Sequence, residues 1–369
     1  MNPGLENCYV IVSKLSGDNN ENFIREGQNK GCGTRMWFII LTLKEKLHFS
    51  CCHCSERSSA TSLALSLSSN MTSKKIIAVF GATGAQGGSV ARAILESKKF
   101  AVRALTRDVT KPKAQALRDL GIEVIKGDLD DEASVEAALK GTYGAFLVTN
   151  FWEHFSKEKE VCQGKLVADA AKRLGVKHVV FSGLENVKRL SGGKLEVPHF
   201  DAKGEVEEYF WSIGVPMTSV RVAAYFENFL TTWKPVKASD GDYYTLAIPM
   251  GDVPMDGISV ADVGAVVCSI FNSPEEFVGK AVGLSAEALT IQQYADVLSK
   301  VLGKDIRDAK MTPEAYEKLG IPVGKEIANM CRFYQTRPDR DVKLTHRLNP
   351  KVKSFSQFIS ENKGAFKGV

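Results

Sequence analysis

The strongest constraint on the fold is a regular alternation of short apolar runs and longer segments of helical period, which begins at residue 76. The apolar runs lie at 76–80, 101–105, 122–125, 144–148 and 178–182, with helical segments at 86–98, 111–120, 131–140 and 155–174. Strands that alternate with helices of this length form βαβ units, and right-handed crossovers gather them into one parallel sheet. The sequence therefore predicts an α/β fold with a doubly wound parallel sheet and a ligand crevice at the carboxyl ends of the strands.

The alternation stops after a sixth predicted strand at 217–222. Later helices are predicted near 290–302 and 323–334, and another starts near Ser259, where Ser259-Val260-Ala261-Asp262 resembles a capping box. We therefore predict one domain over 71–222 and a smaller C-terminal α/β lobe over 223–369 that completes the crevice.

Residues 1–70 differ in kind from the rest, because they have no sustained period and end in a Ser-rich run. A short polar stretch from Met71 leads into the first strand, so Met71 is a plausible initiator, and we predict that 1–70 is disordered or a non-native extension. Within it, Cys51-Cys52-His53-Cys54 could bind a metal or belong to a disordered Cys-rich tail. We favour the tail, since zinc sites usually take ligand pairs from two separated knuckles, and we predict no metal site.

Charge and cysteine content narrow the function classes. The net charge is +5 and the basic residues are scattered, which is not the footprint of a nucleic-acid-binding protein. The longest purely apolar stretch near the N-terminus, 36–41, is far shorter than the ~20 residues of a membrane span. Only three of the eight cysteines follow residue 70, too few for a disulfide framework. We expect no nucleic-acid or membrane partner and a cytoplasmic location, with the nucleus as a second compartment.

The first strand runs directly into Gly81-Ala82-Thr83-Gly84-Ala85-Gln86-Gly87, which an amphipathic helix follows. Within a βαβ unit this pattern predicts the dinucleotide site of a Rossmann domain. Gly81 permits the tight turn, Gly84 lets the backbone approach a pyrophosphate, and Gly87 lets helix and strand pack closely. The helix N-terminus offers free amides and a partial positive charge to the phosphates. The alternative is a tight turn that binds nothing.

The end of the second strand indicates which dinucleotide binds. NAD sites usually carry an acidic residue there, whereas this chain has Arg107, and Lys111 follows four residues later. A guanidinium suits a 2′-phosphate and offers nothing specific to a neutral diol, so we predict NADP(H). Asp108 is discordant, and we expect it to point away or to cap the next helix. The alternative is that Arg107 is a solvated turn residue.

Two further strand ends should line the same crevice. Asp128-Leu129 follows the third strand and is predicted beside the adenine, and Thr149-Asn150-Phe151 follows the fourth and is predicted near the pyrophosphate and nicotinamide ribose. Each could instead be an ordinary turn at the end of a strand.

Three motifs together resemble the atypical short-chain dehydrogenase/reductase superfamily: the glycine turn from Gly81, a strand ending in Ser182-Gly183, and Val260-Ala261-Asp262-Val263-Gly264. The glycine turn marks only the superfamily. Thr149-Asn150-Phe151 and Tyr225-Phe226-Glu227-Asn228-Phe229 are more specific and resemble the NmrA-like branch. The resemblance covers residues 71–369 and none before them, and it identifies 71–222 as an NADP-binding Rossmann domain.

The resemblance also implies a catalytic position, where active members use a Tyr four residues before a Lys. Here Lys203 is present, but His199 stands where the tyrosine would be. Lys203 could still bind the nicotinamide ribose. An imidazole can act as a general acid, although a lone histidine is more often structural, so His199 is only a weak candidate and we predict no catalytic residue. Ser182 occupies the position of the substrate-orienting serine, which proves little by itself.

The segment Tyr225-Phe226-Glu227-Asn228 follows the sixth strand, and the resemblance implies that these four residues bind the coenzyme by closing over its nicotinamide half. The alternative is an aromatic cluster that packs the two lobes together, and both can hold at once.

For function, the resemblance implies an NADPH-binding redox sensor and regulatory protein. NmrA-like proteins respond to the NADPH/NADP ratio and act through protein partners, for vertebrate members argininosuccinate synthase and signalling proteins, with a homodimer as a candidate assembly. The alternative is an NADPH-dependent reductase of quinones or other carbonyl compounds that works without the usual tyrosine. A transcriptional or nucleic-acid-binding role has no basic helix or binding motif to support it.

Overall fold

A seven-stranded, fully parallel sheet forms the centre of the structure, a computed structural model that describes residues 74–369. The strands of the described chain are β1 Ile76–Val79, β2 Ala101–Thr106, β3 Glu123–Lys126, β4 Gly144–Leu147, β5 His178–Gly183, β6 Met217–Val222, β7 Ala224–Tyr225, β8 Val236–Lys237, β9 Tyr244–Leu246, β10 Met255–Ile258, β11 Ala281–Leu284, β12 Glu287–Leu289 and β13 Ile306–Asp308. The order across the main sheet is β3-β2-β1-β4-β5-β6-β11. The predicted doubly wound parallel sheet is confirmed. The predicted extension 1–70, with Cys51-Cys52-His53-Cys54, lies outside the described residues.

The chain reverses its direction of travel across the sheet between β1 and β4. It proceeds outward from β1 to β3 and then returns to place β4 on the other side of β1. Crossover connections leave this point in opposite directions, so a crevice opens between the carboxyl ends of β1 and β4. The fold therefore fixes where a dinucleotide can lie.

Helices cover both faces of the sheet. The α-helices of the described chain are α1 Ala85–Ser97, α2 Pro112–Asp119, α3 Glu132–Leu139, α4 Lys157–Arg173, α5 Val187–Leu190, α6 Pro198–Ser212, α7 Val260–Asn272, α8 Pro274–Phe277, α9 Ile291–Leu302, α10 Pro313–Glu317, α11 Gly324–Gln335, α12 Val342–Leu348 and α13 Phe355–Glu361. Successive residues of a strand point to opposite faces. Ile77 accordingly packs in the cluster that includes α1 and α7, and Ala78 packs in the cluster that includes α3, α4 and α6.

Residues beyond 223 are not confined to a separate lobe. They form two small sheets, β12-β10-β7 and β13-β9-β8, but they also return β11 to the edge of the main sheet. Helix α7 lies directly against α1, because Gly264 has no side chain at the contact: a β-carbon there would lie 2.3 Å from the carbonyl oxygen of Ser89. The hydroxyl of Ser89 donates to the Ala261 carbonyl at 2.7 Å and accepts the Gly264 amide at 3.0 Å. The predicted boundary near residue 222, between the first domain and a smaller C-terminal lobe, stays a prediction.

The predicted capping box at Ser259 is half formed. The Ser259 hydroxyl accepts the amide of Ala261, whereas the Asp262 carboxylate accepts the amide of Lys353 at 3.0 Å instead of turning back to residue 259. A different acid, Glu227, accepts the first helical amide and the Ser259 hydroxyl. A long-range partner, Glu227, thus satisfies donors at the start of this helix, while Asp262 bonds elsewhere.

Candidate functional site

A cleft of about 1040 Å³ opens at the carboxyl ends of the central strands. Most of the predicted site residues line it: Gly81, Thr83, Gly84, Ala85, Gln86, Gly87, Arg107, Lys111, Asp128, Leu129, Thr149, Asn150, Phe151, Lys203, Tyr225 and Asn228, together with His199 and Ser182. Three predicted residues do not line it, namely Ala82, Phe226 and Glu227. The topology therefore brings residues that are far apart in the sequence together in the predicted crevice.

The segment at 225–229 divides between two environments because Phe226–Leu230 is a 3₁₀ turn. Residues three apart in such a turn share a face, so Tyr225 and Asn228 both line the cleft. Phe226 and Phe229 face the core, where their rings lie 5.1 and 4.6 Å from that of Phe355. One face of this segment is thus available to the coenzyme, and the other face packs in the core.

The glycine turn leaves room for a phosphate at the start of α1. Gly81 has a φ of +64°, and its carbonyl accepts the Gly84 amide at 2.9 Å. A β-carbon on Gly87 would lie 2.2 Å from that same carbonyl oxygen, so only glycine fits. Gly84, the N-cap of α1, contributes no side-chain hydrogen bond, and the first turn holds no acidic residue. The amides at this helix end are therefore free to bind an anion.

Gln86 adds a polar group that the protein itself leaves unsatisfied. Its side-chain nitrogen donates to the Tyr225 hydroxyl, while its buried oxygen Oε1 has no hydrogen-bond partner among residues 74–369. Buried polar atoms almost always find partners, so an orphan on a cleft wall indicates a place for a ligand donor. The cleft therefore has the shape to hold a dinucleotide, and it offers a hydrogen-bond acceptor that the protein leaves unused.

Arg107 does not point freely into solvent but forms an ion pair with Glu153. The two side chains are 62% and 43% exposed, so the pair lies at the mouth of the cleft. The hydrogen bond to Glu153 raises the pKa of Arg107. Glu153 lies at the end of the short 3₁₀ turn Phe151–Glu153, which also carries Trp152. Sequence reasoning missed Glu153, although it follows the Thr149-Asn150-Phe151 motif by only two residues.

Asp108 lines the cleft together with Arg107, and its carboxylate is engaged in a local turn rather than in capping the next helix. Its Oδ1 accepts the amide and the hydroxyl of Thr110 at 2.9 and 2.6 Å. These two hydrogen bonds lower the pKa of Asp108. Lys111 is the N-cap of α2 and lies at the cleft wall. The carboxylate thus closes a local turn, and this end of the cleft is lined by two basic residues and by this acidic residue.

Lys203 is fully engaged within the protein. Its ammonium donates to the Thr149 carbonyl at 2.9 Å, to the Thr149 hydroxyl at 2.8 Å and to Glu160 at 2.7 Å. An ammonium has three donors, so a ribose hydroxyl would have to replace one of these contacts. Glu160 is fully buried, and its second oxygen, Oε2, has no partner among the described residues. Sequence reasoning missed Glu160, which lies 43 residues from Lys203 and belongs to no local motif.

His199 also has a partner that no local pattern indicated. Its Nδ1 is hydrogen-bonded to Glu326 on α11, and the same carboxylate oxygen accepts the His199 backbone amide at 3.0 Å. Three aromatic rings surround the imidazole: Trp152 at 4.7 Å, Phe200 at 4.8 Å and Phe151 at 6.0 Å between ring centroids. The histidine is thus held in one orientation at the wall of the cleft.

The remaining wall comes from the C-terminal third of the chain. It is mostly apolar and consists of Tyr316, Ile321, Pro322, Val323, Ile327, Met330 and Tyr334. Sequence reasoning predicted the helix near 323–334 but did not assign it to the cleft. Burial raises the pKa of Tyr225 to about 12 and also raises those of Tyr316 and Tyr334. These phenols are therefore poor replacements for an acidic catalytic tyrosine.

Two negative findings apply to residues 74–369. No group of three or more His, Cys, Asp or Glu side chains there could hold a metal ion. No helix in that range has the length and hydropathy needed to cross a membrane.

Several named proteins are similar to this chain in sequence. An NmrA-like family domain-containing protein of Dictyostelium discoideum is 32% identical over 302 residues, which is 78% of this chain and 98% of that protein. An NmrA-like family domain-containing oxidoreductase of a Cladobotryum species is 33% identical over 72% of this chain and 85% of its own. NmrA-like family domain-containing protein 1 of Rattus norvegicus is 29% identical, with 79% and 98% covered.

Solved structures with the same fold hold the predicted coenzyme. NmrA, a negative transcriptional regulator, in complex with NADP, has a TM-score of 0.67 and 25% identity over 78% of this chain and 95% of its own. The NADPH-dependent quinone oxidoreductase of Escherichia coli, complexed with NADPH, has a TM-score of 0.64 at 24% identity, with 78% and 99% covered, and this likeness concerns the fold. The model of the NmrA-like family matches residues 73–358. The family predicted from the motifs is thereby confirmed, and the chain belongs to the NmrA-like family.

Proposed function

We propose that this chain is an NADPH-binding redox sensor, a regulatory protein that changes its conformation or its associations with the NADPH/NADP ratio. The coenzyme is NADP(H), for which the glycine turn, Arg107 and Lys111 provide the phosphate contacts. The observation that carries the proposal is the ion pair between Arg107 and Glu153. A ligand can shift a protein between two states only if its contacts with them differ, and this pair supplies such a difference.

A bound 2′-phosphate would change that ion pair. The guanidinium of Arg107 binds Glu153 in the structure, and a phosphate would compete for the same donors. Glu153 would then be released, and it belongs to the same short turn as Phe151 and Trp152, whose rings pack on His199. Coenzyme binding at one end of the cleft would thus alter a segment that reaches the other end.

The redox response requires a difference between the two forms of the coenzyme, since both carry the 2′-phosphate. The oxidised nicotinamide ring bears a positive charge that the reduced ring lacks. The cleft wall beside Lys203 and His199 includes Phe151, Trp152 and Phe200, and burying a charged ring among such residues costs more than burying a neutral one. We therefore expect NADPH to bind more tightly than NADP⁺, and equal dissociation constants for the two would refute a sensor of their ratio.

The same segment suggests where a partner would bind. Trp152 is 42% exposed and Phe155 is 62% exposed, an aromatic pair that flanks Glu153 at the surface. Exposed aromatic residues are enriched at protein interfaces. We propose that release of Glu153 changes how this pair is presented to partner proteins, with argininosuccinate synthase and signalling proteins as candidates, or to a second copy of the chain. We propose the cytoplasm as the location, with the nucleus as a second compartment.

Hydrogen–deuterium exchange over residues 150–156 tests the sensor. NADPH at saturation should change exchange in this segment, whereas NADH, which lacks the 2′-phosphate, should leave it close to the free protein. Glu153→Gln should reproduce the NADPH pattern without ligand. Glu123→Gln is the control, since it disrupts another Arg–Glu pair, Arg103–Glu123, away from the cleft. Identical patterns with NADPH and NADH would contradict the proposal.

The alternative function, NADPH-dependent reduction of quinones or other carbonyl compounds, needs a proton donor in place of the missing tyrosine. A fungal relative that is named as an oxidoreductase supports this alternative. The specific observation in its favour is the contact between His199 and Glu326.

A further inference from the structure

We propose that His199 and Glu326 form the proton-donating part of a second function, the reduction of flat, apolar aldehydes and ketones at the expense of NADPH in the same cleft. This inference rests on the NADP(H) binding proposed above, but not on the sensor role or on any partner protein. His199 would be the catalytic residue, and Glu326 a positioning residue that acts through it.

The imidazole is held from one side only. Glu326 accepts both the Nδ1 hydrogen and the backbone amide hydrogen of His199, and the two side chains are only 11% and 9% exposed. No hydrogen bond among residues 74–369 uses Nε2 of His199, which is part of the cleft wall. A carboxylate on one ring nitrogen fixes the orientation of the ring and stabilises the imidazolium, which can release a proton from the other nitrogen. Nε2 is therefore the atom available to a ligand in the cleft.

The surroundings of His199 indicate the class of substrate. The rings of Trp152 and Phe200 flank the imidazole, and Ile327 and Met330 of α11 line the cleft beside them. Aromatic and aliphatic walls with a single imidazole donor suit a flat apolar molecule that carries one hydrogen-bond acceptor. An aromatic aldehyde or ketone has this composition, whereas a small polyhydroxylated aldehyde does not.

Other groups in the cleft are poorer proton donors. The phenols of Tyr225 and Tyr334 are half-buried in the cleft wall, and desolvation raises the pKa of each, which makes them weaker acids. Lys203 uses its three hydrogens in contacts to Thr149 and Glu160. His199, with Nε2 unused by the protein at the cleft wall, is thus the cleft group best placed to donate a proton to a ligand.

The proposed step transfers one hydride and one proton to the carbonyl group. The carbonyl carbon accepts a hydride, the two-electron equivalent that NADPH supplies on becoming NADP⁺, and the carbonyl oxygen accepts the proton from Nε2 of His199. The π bond of the carbonyl breaks, one C–H and one O–H bond form, and the product is an alcohol. The imidazolium becomes a neutral imidazole that still donates Nδ1–H to Glu326, and solvent returns a proton to Nε2.

The first test measures NADPH oxidation by the full chain with naphthaldehyde, and with glyceraldehyde as the hydrophilic comparison. We expect turnover with naphthaldehyde alone. His199→Gln should lower kcat by about 10²-fold or more, the usual contribution of a general acid, with little change in KM. Glu326→Gln should lower kcat less, and Glu326→Asp should restore part of the loss. Glu317→Gln, which removes a carboxylate paired with Arg332 outside the cleft wall, should change nothing.

A second readout does not depend on turnover. In the nitrogen NMR spectrum of the coenzyme-free protein, His199 should keep a proton on Nδ1 whether or not Nε2 carries the transferable one, and Glu326→Gln should let the neutral ring populate both tautomers. NADPH affinity, followed by fluorescence, should be unchanged in every variant. NADPH binding without any aldehyde-dependent oxidation would overturn the reductase site and leave the sensor standing. Failure to bind NADPH would remove both, and undiminished kcat in His199→Gln would exclude His199.

Discussion

Exchange of Arg107 between two anionic partners predicts how substitutions change coenzyme affinity. In the free protein the guanidinium binds Glu153 in an exposed ion pair, a contact worth about 0.2–1 kcal/mol. In the complex it would bind the 2′-phosphate, a hydrogen bond to a charged group worth about 1.5–3 kcal/mol. The net contribution to NADPH binding is the difference, about 0.5–2.8 kcal/mol.

This difference sets the expected results for two variants. Arg107→Ala should weaken NADPH by roughly 2- to 100-fold and leave NADH nearly unaffected, since NADH has no 2′-phosphate. Glu153→Gln should tighten NADPH by up to about fivefold, because the guanidinium no longer has to leave a carboxylate. In the double variant the benefit of Glu153→Gln should disappear, since the group that it frees is absent.

Isothermal titration calorimetry with both coenzymes measures all of these values. Ionic strength must be held constant, because salt weakens both the exposed ion pair and the phosphate contact. Glu123→Gln again serves as the control and should alter neither affinity. Equal losses for NADPH and NADH in Arg107→Ala would show that Arg107 is not the 2′-phosphate ligand. Weaker NADPH binding in Glu153→Gln would show that the ion pair does not compete with the coenzyme.

Three further predictions concern stability, each measured by urea titration. Gly87→Ala should lower the free energy of unfolding by about 1–3 kcal/mol and weaken NADPH binding, because its β-carbon would lie 2.2 Å from the Gly81 carbonyl oxygen. Gly364→Ala, which adds a β-carbon in open space, should do neither. Val323→Gly should stabilise by about 0.5–1 kcal/mol, because Val323 has a φ of +58° that glycine adopts without strain, and a loss of stability would contradict this. Burial lowers the pKa of His178 from 6.5 to about 4, so the unfolded chain binds a proton that the folded protein excludes. The free energy of unfolding should therefore fall as pH drops from 6.5 toward 4, by about 3 kcal/mol for this group, and His178→Gln should remove most of that slope.

The sequence was sufficient for the features that depend on local period and chain order. The six predicted strands fall within about one residue of their observed bounds, because apolar runs between helices admit few other arrangements. The glycine turn was predictable for the same reason, since the strand before it and the helix after it restrict its geometry. The position of Arg107 followed from its place at the end of β2.

The partners of the site residues could not be predicted in the same way. Glu153 lies 46 residues from Arg107, and Glu326 lies 127 residues from His199. Such pairs depend on side-chain direction and on how distant elements pack, neither of which leaves a periodic signal. The helix that carries Glu326 was predicted, but nothing in its own sequence indicates that it lies beside the cleft.

The contact between α1 and α7 limits how this chain could be divided. Val90, Ala91 and Ile94 of α1 are fully buried, and α7, from far later in the sequence, belongs to the same apolar cluster. A fragment that stopped at residue 222 would expose this apolar face of α1 to water, next to the glycine turn, and would tend to aggregate. Residues 74–222 are therefore not expected to fold properly when transferred alone to another protein. Chimaeras between relatives should exchange α1 and α7 together.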